Sequence, residues 1–396
     1  MSLRSEGSVG GSMLVGLLSL VGARTVDASG TATVSAPLEG LPDREADDGP
    51  VVAGFIQAGA QWVPGQGAPS FTIDEIELRF EKAWRAIGTG HAELQLREAD
   101  QRWVRQNRRS LGIDELLDEV WVSVDHWNDL GFRARLGRAA MPFGVEPTDG
   151  PGSLTYSRSW TVEVGRPSLG TGLFLEYARQ VLDASLFVVN GWDALVDQAT
   201  SMSIGGRFGL RFAGDRLRLG ASYLGGQEPV PRRVEEGATL ETLRHFVDLD
   251  FAVATELLDV RLELAWSRHA RASQVVQDRV AQWLSFVGLV RYAPTGSLAF
   301  TVRFEHADDA EAAWFPNARP QLLFTPTATD STAAQLTVEA VTFHARLALS
   351  QEVKVTLEYR GDFQPRAGDV AVFPAAEGPR TTRHLVALGF LVELTK

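Results

Sequence analysis

Charged residues recur at every second position along this chain, and that spacing limits the chemistry they can do. Glu75, Glu77, Arg79 and Glu81 lie two apart, as do Glu93 and Arg97 with Gln95 between them. The same step separates Arg133 from Arg135, Asp248 from Asp250, Arg261 from Glu263, Arg303 from Glu305 and Glu358 from Arg360. Side chains two apart share one face of an extended strand, so each set makes a charged stripe and not a pocket. Catalytic spacings are missing. The 7 histidines are dispersed, and neither His-Glu-x-x-His nor Gly-x-Ser-x-Gly occurs. Asp248 and Asp250 could attract a cation, but two carboxylates fall well short of the roughly six to eight oxygens calcium takes. The expectation is a chain without catalytic residues, cofactor or metal, whose charges line a wet surface.

Composition narrows the partners. The formal charge is -12, and nearly all of the 38 basic residues are Arg, Lys being confined to Lys82, Lys354 and Lys396. An acidic balance without a basic run argues against nucleic acid. With no Cys, disulfides, thiol nucleophiles and Cys-ligated zinc are excluded, which suits passage through an oxidising compartment. Residues 1–28 read as an export signal. Arg4 precedes an apolar run from Met13 to Ala23, of signal-core length, with small residues offering cleavage after Ala23 or Ala28. Residues 29–50 are small, polar and acidic and read as a flexible periplasmic leader.

The charged stripes demand strands to carry them. Ile76, Leu78 and Phe80 alternate with Glu75, Glu77, Arg79 and Glu81, giving one apolar and one ionised face. The alternation recurs around Asp125, Arg207, Arg211, Arg216, Arg218 and Lys354. Counting such runs predicts about sixteen strands of roughly 9–12 residues, the length that crosses a bilayer at a tilt. They fall at 51–61, 72–84, 90–99, 116–126, 131–140, 172–179, 183–190, 203–213, 216–224, 245–254, 258–267, 282–292, 297–306, 335–347, 353–362 and 383–394. The phase changes near Thr342, which predicts either a bulge there or strand limits other than 335–347. Short links alternate with long ones (100–115, 141–171, 225–244, 268–281, 307–334 and 363–382), as in a membrane barrel with tight turns on one side. With the leader in the periplasm, an even strand count returns the C-terminus to that side.

The expected fold is therefore all-β: a closed, antiparallel, up-and-down transmembrane barrel over 51–396. Lipid offers no hydrogen-bond partners, so the sheet has to close, and about sixteen strands enclose a lumen too wide for side chains to fill. Acidic groups (Glu75, Glu77, Glu81, Glu93, Asp125) dominate the early strands and basic ones (Arg133, Arg135, Arg207, Arg211, Arg216, Arg218) the middle. Opposed walls of that kind set a transverse field across a pore. The third loop, 141–171, is the candidate constriction, with Arg158, Glu163 and Arg166 as its charges; a surface loop is the alternative. Trp62, Trp84, Trp127, Trp192, Trp266 and Trp283 sit near strand ends and suggest an aromatic girdle.

Several segments carry a resemblance. Asp74-Glu-Ile-Glu-Leu-Arg-Phe-Glu-Lys82, Leu136-Gly-Arg-Ala-Ala-Met-Pro-Phe-Gly144, Tyr156-Ser-Arg-Ser159, Gly170-Thr-Gly172 and Val189-Asn-Gly-Trp-Asp193 occur in that order. Val302-Arg-Phe-Glu305 and Leu357-Glu-Tyr-Arg-Gly-Asp362 follow. From about residue 73 to its end the chain resembles the OmpL-like β-barrel porins. The resemblance implies an outer-membrane porin-like barrel and brings neither catalytic residues nor a substrate. The chain departs from the terminal aromatic usual in outer-membrane barrels, ending Phe390-Leu-Val-Glu-Leu-Thr-Lys396. The expected function is a water-filled channel in a bacterial outer membrane, passing small hydrophilic solutes or ions. The alternative is a closed structural or surface-binding barrel. Partners would be outer-membrane lipid, the barrel assembly machinery, the solutes and, by analogy with porins of this size, two further copies in a homotrimer.

Overall fold

The structure, a computed structural model, describes residues 49–64, 69–84, 88–97, 116–125, 130–148, 150–195, 199–230, 240–273, 278–309, 336–364 and 382–395. Sixteen antiparallel strands form one closed barrel in simple chain order. They are β1 (Val51–Trp62), β2 (Ser70–Trp84), β3 (Gly88–Arg97), β4 (Leu117–Val124), β5 (Phe132–Ala140), β6 (Leu169–Arg179), β7 (Leu182–Val189) and β8 (Ser203–Phe212). The second half comprises β9 (Leu217–Pro229), β10 (Glu241–Ala254), β11 (Leu258–His269), β12 (Ala281–Tyr292), β13 (Leu298–Asp309), β14 (Leu336–Ala348), β15 (Val353–Phe363) and β16 (Thr382–Thr395). β16 closes on β1, with Ala53 opposite Thr395 and Trp62 opposite Val386. No sheet edge is left for lipid to meet unpaired.

The barrel is apolar outside and ionised inside. Phe80, Leu136, Leu186, Phe208, Phe304 and Phe343 are all exposed, while their strand neighbours Arg303, Glu305, Glu93 and Glu77 are buried. A soluble barrel would reverse the two faces; this arrangement is stable only with hydrocarbon outside. The outward residues of β13 illustrate the period: Phe300, Val302 and Phe304 are exposed, and Thr301, Arg303 and Glu305 between them are buried.

Two expectations about register need correction. The pairing of β14 runs unbroken from Glu339 to Leu347 against both neighbours, so there is no bulge near Thr342. The phase change has another cause: Val338 and Ala340 are buried on the same inward face as Thr342 and His344, so apolar residues exchange faces while the backbone stays regular. The irregularity lies in β2, where the register shifts opposite Gln57 and Ala58. There Asp74 and Glu75, adjacent in sequence, are both buried. A second shift occurs between Ala92 and Leu94 on β3. Arg216, expected to begin a strand, is exposed in the tight turn before β9, where Ala213, Gly214 and Asp215 all take positive φ.

Candidate functional site

The segment Met141–Ser168 (L3) joins β5 to β6 and lies inside the barrel. It begins with Pro142, which lacks an N–H to continue the sheet. Gly144 follows at φ +70, where a Cβ would come within 1.6 Å of Arg166 Nη1 and 2.3 Å of Glu263 Oε2. Only glycine can make this inward turn. The turn drives Phe143 into an apolar nest on the wall, its ring centroid 5.8 Å from Phe187 and 5.1 Å from Phe246. Further along, Val145 and Leu154 pack against Val287 and Leu289 of β12.

Irregular backbone at membrane depth must have its polar groups satisfied by protein or water. The charged wall does this. Wall carboxylates accept from loop amides: Gly144 donates to Asp248 (3.0 Å), Val145 to Glu263 (2.9 Å), Trp160 to Glu305 (2.7 Å) and Tyr156 to Glu358 (2.7 Å). Wall guanidiniums donate to loop carbonyls: Arg207 to Pro142 (3.3 Å), Arg261 to Val145 (3.1 Å) and Arg360 to Arg158 (2.5 Å). Arg303, 0% exposed, is the hub. It meets Glu146 of the loop at 3.0 Å and Glu305 of its own strand at 2.7 Å, and it donates to Thr155 Oγ1 and the Ser157 carbonyl.

Tyr156 docks at the seam where the barrel closes. Gly59 and Gly389 are paired across β1 and β16. A Cβ on either would fall 2.5 Å from the Tyr156 hydroxyl or 2.3 Å from its ring. Two glycines therefore leave the floor on which the ring rests. The hydroxyl donates to Asp74, and burial, with the Asp74 charge beside it, pushes the phenol well above its usual range. It stays a protonated donor.

Two of the three candidate constriction charges, Arg158 and Arg166, are engaged in this joint. Arg166 binds Glu263 at 2.9 Å and also donates to the Glu146 carbonyl. Arg158 binds Glu75 at 3.2 Å and the Thr148 carbonyl at 2.8 Å. Glu163 is half-buried in a single π-helical turn, Thr161–Gly165, and Gly165 of that turn lies against Trp283.

Most of the remaining charges fall on the arc β2–β8. Arg79 binds Glu93 (2.9 Å) and Glu77 (3.1 Å), and Glu81 lies 3.9 Å from His91. Asp125, just past β4, accepts from Thr89 and Ser123. Arg133 and Arg135 share Glu176 at 2.8 and 2.5 Å, with Arg135 5.2 Å from the Trp121 ring centroid. Arg207 binds Asp250 at 2.5 Å, and both Arg207 and Arg211 approach Asp183. On β9 Arg218 faces the interior, and on β15 Lys354 pairs with Glu393 of β16. Residues 1–48, Trp127 and the side chain of Arg97 lie outside the described residues.

Some interior residues escaped the sequence reading. Phe174, Phe187, Phe246 and Trp283 are buried inside, since an apolar residue on a charged face breaks the alternation used to find that face. Trp283 therefore does not belong to a girdle, and Trp192 packs on the interior cluster with Arg244 3.4 Å over its ring. The adjacent acids Asp74 and Glu75 were a legible signal: two neighbouring carboxylates in a half-apolar strand imply a bulge.

Comparison with known proteins agrees with this architecture. The profile of the family described as "Putative beta-barrel porin-2, OmpL-like" matches residues 89–394. No curated protein matches the chain in sequence. Among solved structures, an OmpF complex from Salmonella typhi superposes at TM-score 0.57 with 10% identity, covering 87% of this chain and 97% of that one. An anion-selective porin from Comamonas acidovorans gives TM-score 0.56 at 11% identity, covering 87% and 99%. OmpT of Vibrio cholerae gives 0.55 at 9%, covering 87% and 97%. At such identities these three speak for the fold alone. The family match spans most of the chain, and with the inside-out barrel and its inward-folded third loop it assigns this protein to the OmpL-like beta-barrel porin-2 family, as a porin-like channel of the bacterial outer membrane.

Proposed function

We propose that the channel passes small hydrophilic solutes or ions by passive diffusion, without catalysis, through water between L3 and the arc β2–β8. The observation that carries this reading is the lopsided attachment of L3, which is fastened densely to β10–β15 and meets the β2–β8 arc at its two edges, through Asp74 and Glu75 of β2 and Arg207 of β8. Wall charges on β10–β15 are sealed beneath the loop: Asp248, Glu263, Glu305 and Glu358 are at most 1% exposed. On the other arc, the side chains of Arg79, Arg133 and Asp183 keep 39%, 18% and 22% of their exposure. Glu81 on β2 and Arg133 and Arg135 on β5 keep part of their exposure on this arc and give the remaining water charges of opposite sign on different strands. Asp248, Glu263, Arg303, Glu305, Glu358 and Arg360 act on this reading by fastening the loop that sets the width.

Residues 1–28 would serve as the export signal and 29–50 as a periplasmic leader. The trimeric form named for OmpT of Vibrio cholerae supports a homotrimer here. The depth to which L3 covers the wall favours one rival, a barrel plugged by its loop. Reconstitution in a planar bilayer separates the two. Stepwise conductance is the expected result; a folded, inserted barrel that stays electrically silent establishes the plug.

A further inference from the structure

Near the short-turn end of the lumen, just below L3, four arginines gather on the arc β9–β14. Arg218 and Arg261 stand on one register row, both opposite Ala252, so their backbones are two strands apart, roughly 10 Å. Arg291 stands one row away, opposite both Asp259 and Thr301. Arg346 follows on β14, opposite Ala299. Arg261 lies within electrostatic reach of each of the other three. Between them the wall carries the short side chains of Ala252, Ala299 and Thr301, all of them buried.

The nearby carboxylates already have partners, one of them within the cluster. Asp259 is held by Arg261 at 2.8 Å, Asp250 by Arg207 at 2.5 Å, and Asp215 lies 3.5 Å from Arg211. Glu393 pairs with Lys354. Among the described residues no carboxylate lies within salt-bridge distance of Arg218, Arg291 or Arg346; Arg346 donates to the Ser153 carbonyl of L3. All three are half-buried and face the interior. Asp215, Asp250 and Asp259 lie within electrostatic reach of Arg218, Asp259 of Arg291 and Glu393 of Arg346, but each of these carboxylates also answers another cation, so the partly desolvated guanidiniums keep a net positive potential that favours an anion able to meet several at once. Their planar forks match the paired oxygens of phosphate.

We infer that Arg218, Arg291 and Arg346, backed by Arg261, form a binding site for a multiply charged oxyanion, phosphate or a small phosphorylated solute. The site deepens the channel reading by giving one class of solute a station in the lumen, but it can be tested without conduction. Inorganic phosphate is titrated calorimetrically into the refolded full-length chain in detergent, against a chloride background. Saturable binding is expected, weakened at least tenfold by combining R291Q with R346Q and several-fold by R218Q alone. R271Q, in an exposed loop pair with Asp278, should bind as the parent does. Folding is checked by heat-modifiable electrophoretic migration. If the double variant does not fold, R218Q decides. Absence of saturable heat in the parent, or equal affinity in the folded variants, overturns the proposal. In parallel, phosphate added at the short-turn side of a bilayer should reduce conductance. A silent bilayer with intact calorimetric binding would sink the diffusion reading and leave the anion site standing.

Discussion

Replacing Arg303 by leucine should release L3 without unravelling the barrel. Arg303 is fully buried between Glu146 and Glu305, at 3.0 and 2.7 Å. Leucine occupies part of the space but leaves the buried Glu146 without its cation, while Glu305 keeps Arg360 at 3.4 Å. Removing one partner of a buried pair costs about 3–5 kcal/mol, most of it the penalty on the charge left behind. The backbone pairing of β13 with β12 and β14 does not involve the side chain, so that cost falls on the loop joint. At about 1.4 kcal/mol per factor of ten, the undocked loop gains on the order of a hundredfold or more in relative population. The assay is single-channel recording: R303L should show larger, noisier openings than the parent, with unchanged heat-modifiable migration. Adding E146Q removes the stranded charge and should restore quiet openings in part. A folded R303L with parental conductance and noise would refute the role given to this joint.

Other expectations follow from the same geometry. G389A places a methyl 2.3 Å from the Tyr156 ring and should lower unfolding stability by about 1–3 kcal/mol, whereas Y156A at the same seam should relieve that clash in the double variant. Denaturant titration in lipid reads both. Lysine in place of Phe304, exposed near the middle of β13, should cost about 2–4 kcal/mol, against roughly nothing for the same change at a strand end such as Trp62. Equal effects at the two positions would contradict a lipid-facing exterior. Neutralising Arg133 and Arg135 together leaves Glu176 uncompensated, so the reversal potential in a salt gradient should move toward cation preference. An unchanged potential would place the conducting water away from β5.

The alternation of ionised and apolar residues determined most of the fold. Each of the sixteen predicted strands overlaps an observed one, because a period of two is a local property that any strand with one wet and one oily face must show. β9 extends further than expected, through Gly225, Gly226 and Pro229, residues that carry no alternation of their own, and its partner β10 begins earlier, at Glu241. Closure, too, followed from sequence, since an open edge is untenable in hydrocarbon. What those residues alone left open was the work of the inward charges. Asp248, Glu263, Arg303 and Glu358 look identical in pattern to Glu176 or Arg133, yet the first group is fastened to L3 and the second pair meets across β5 and β6. That distinction depends on where a loop from 141 to 168 lands on walls up to about two hundred residues away, as in the Tyr156–Glu358 contact. Such contacts leave no period in the chain. They are settled only when the barrel has closed, brought Gly59 beside Gly389, and given the loop a charged, glycine-floored surface on which to lie.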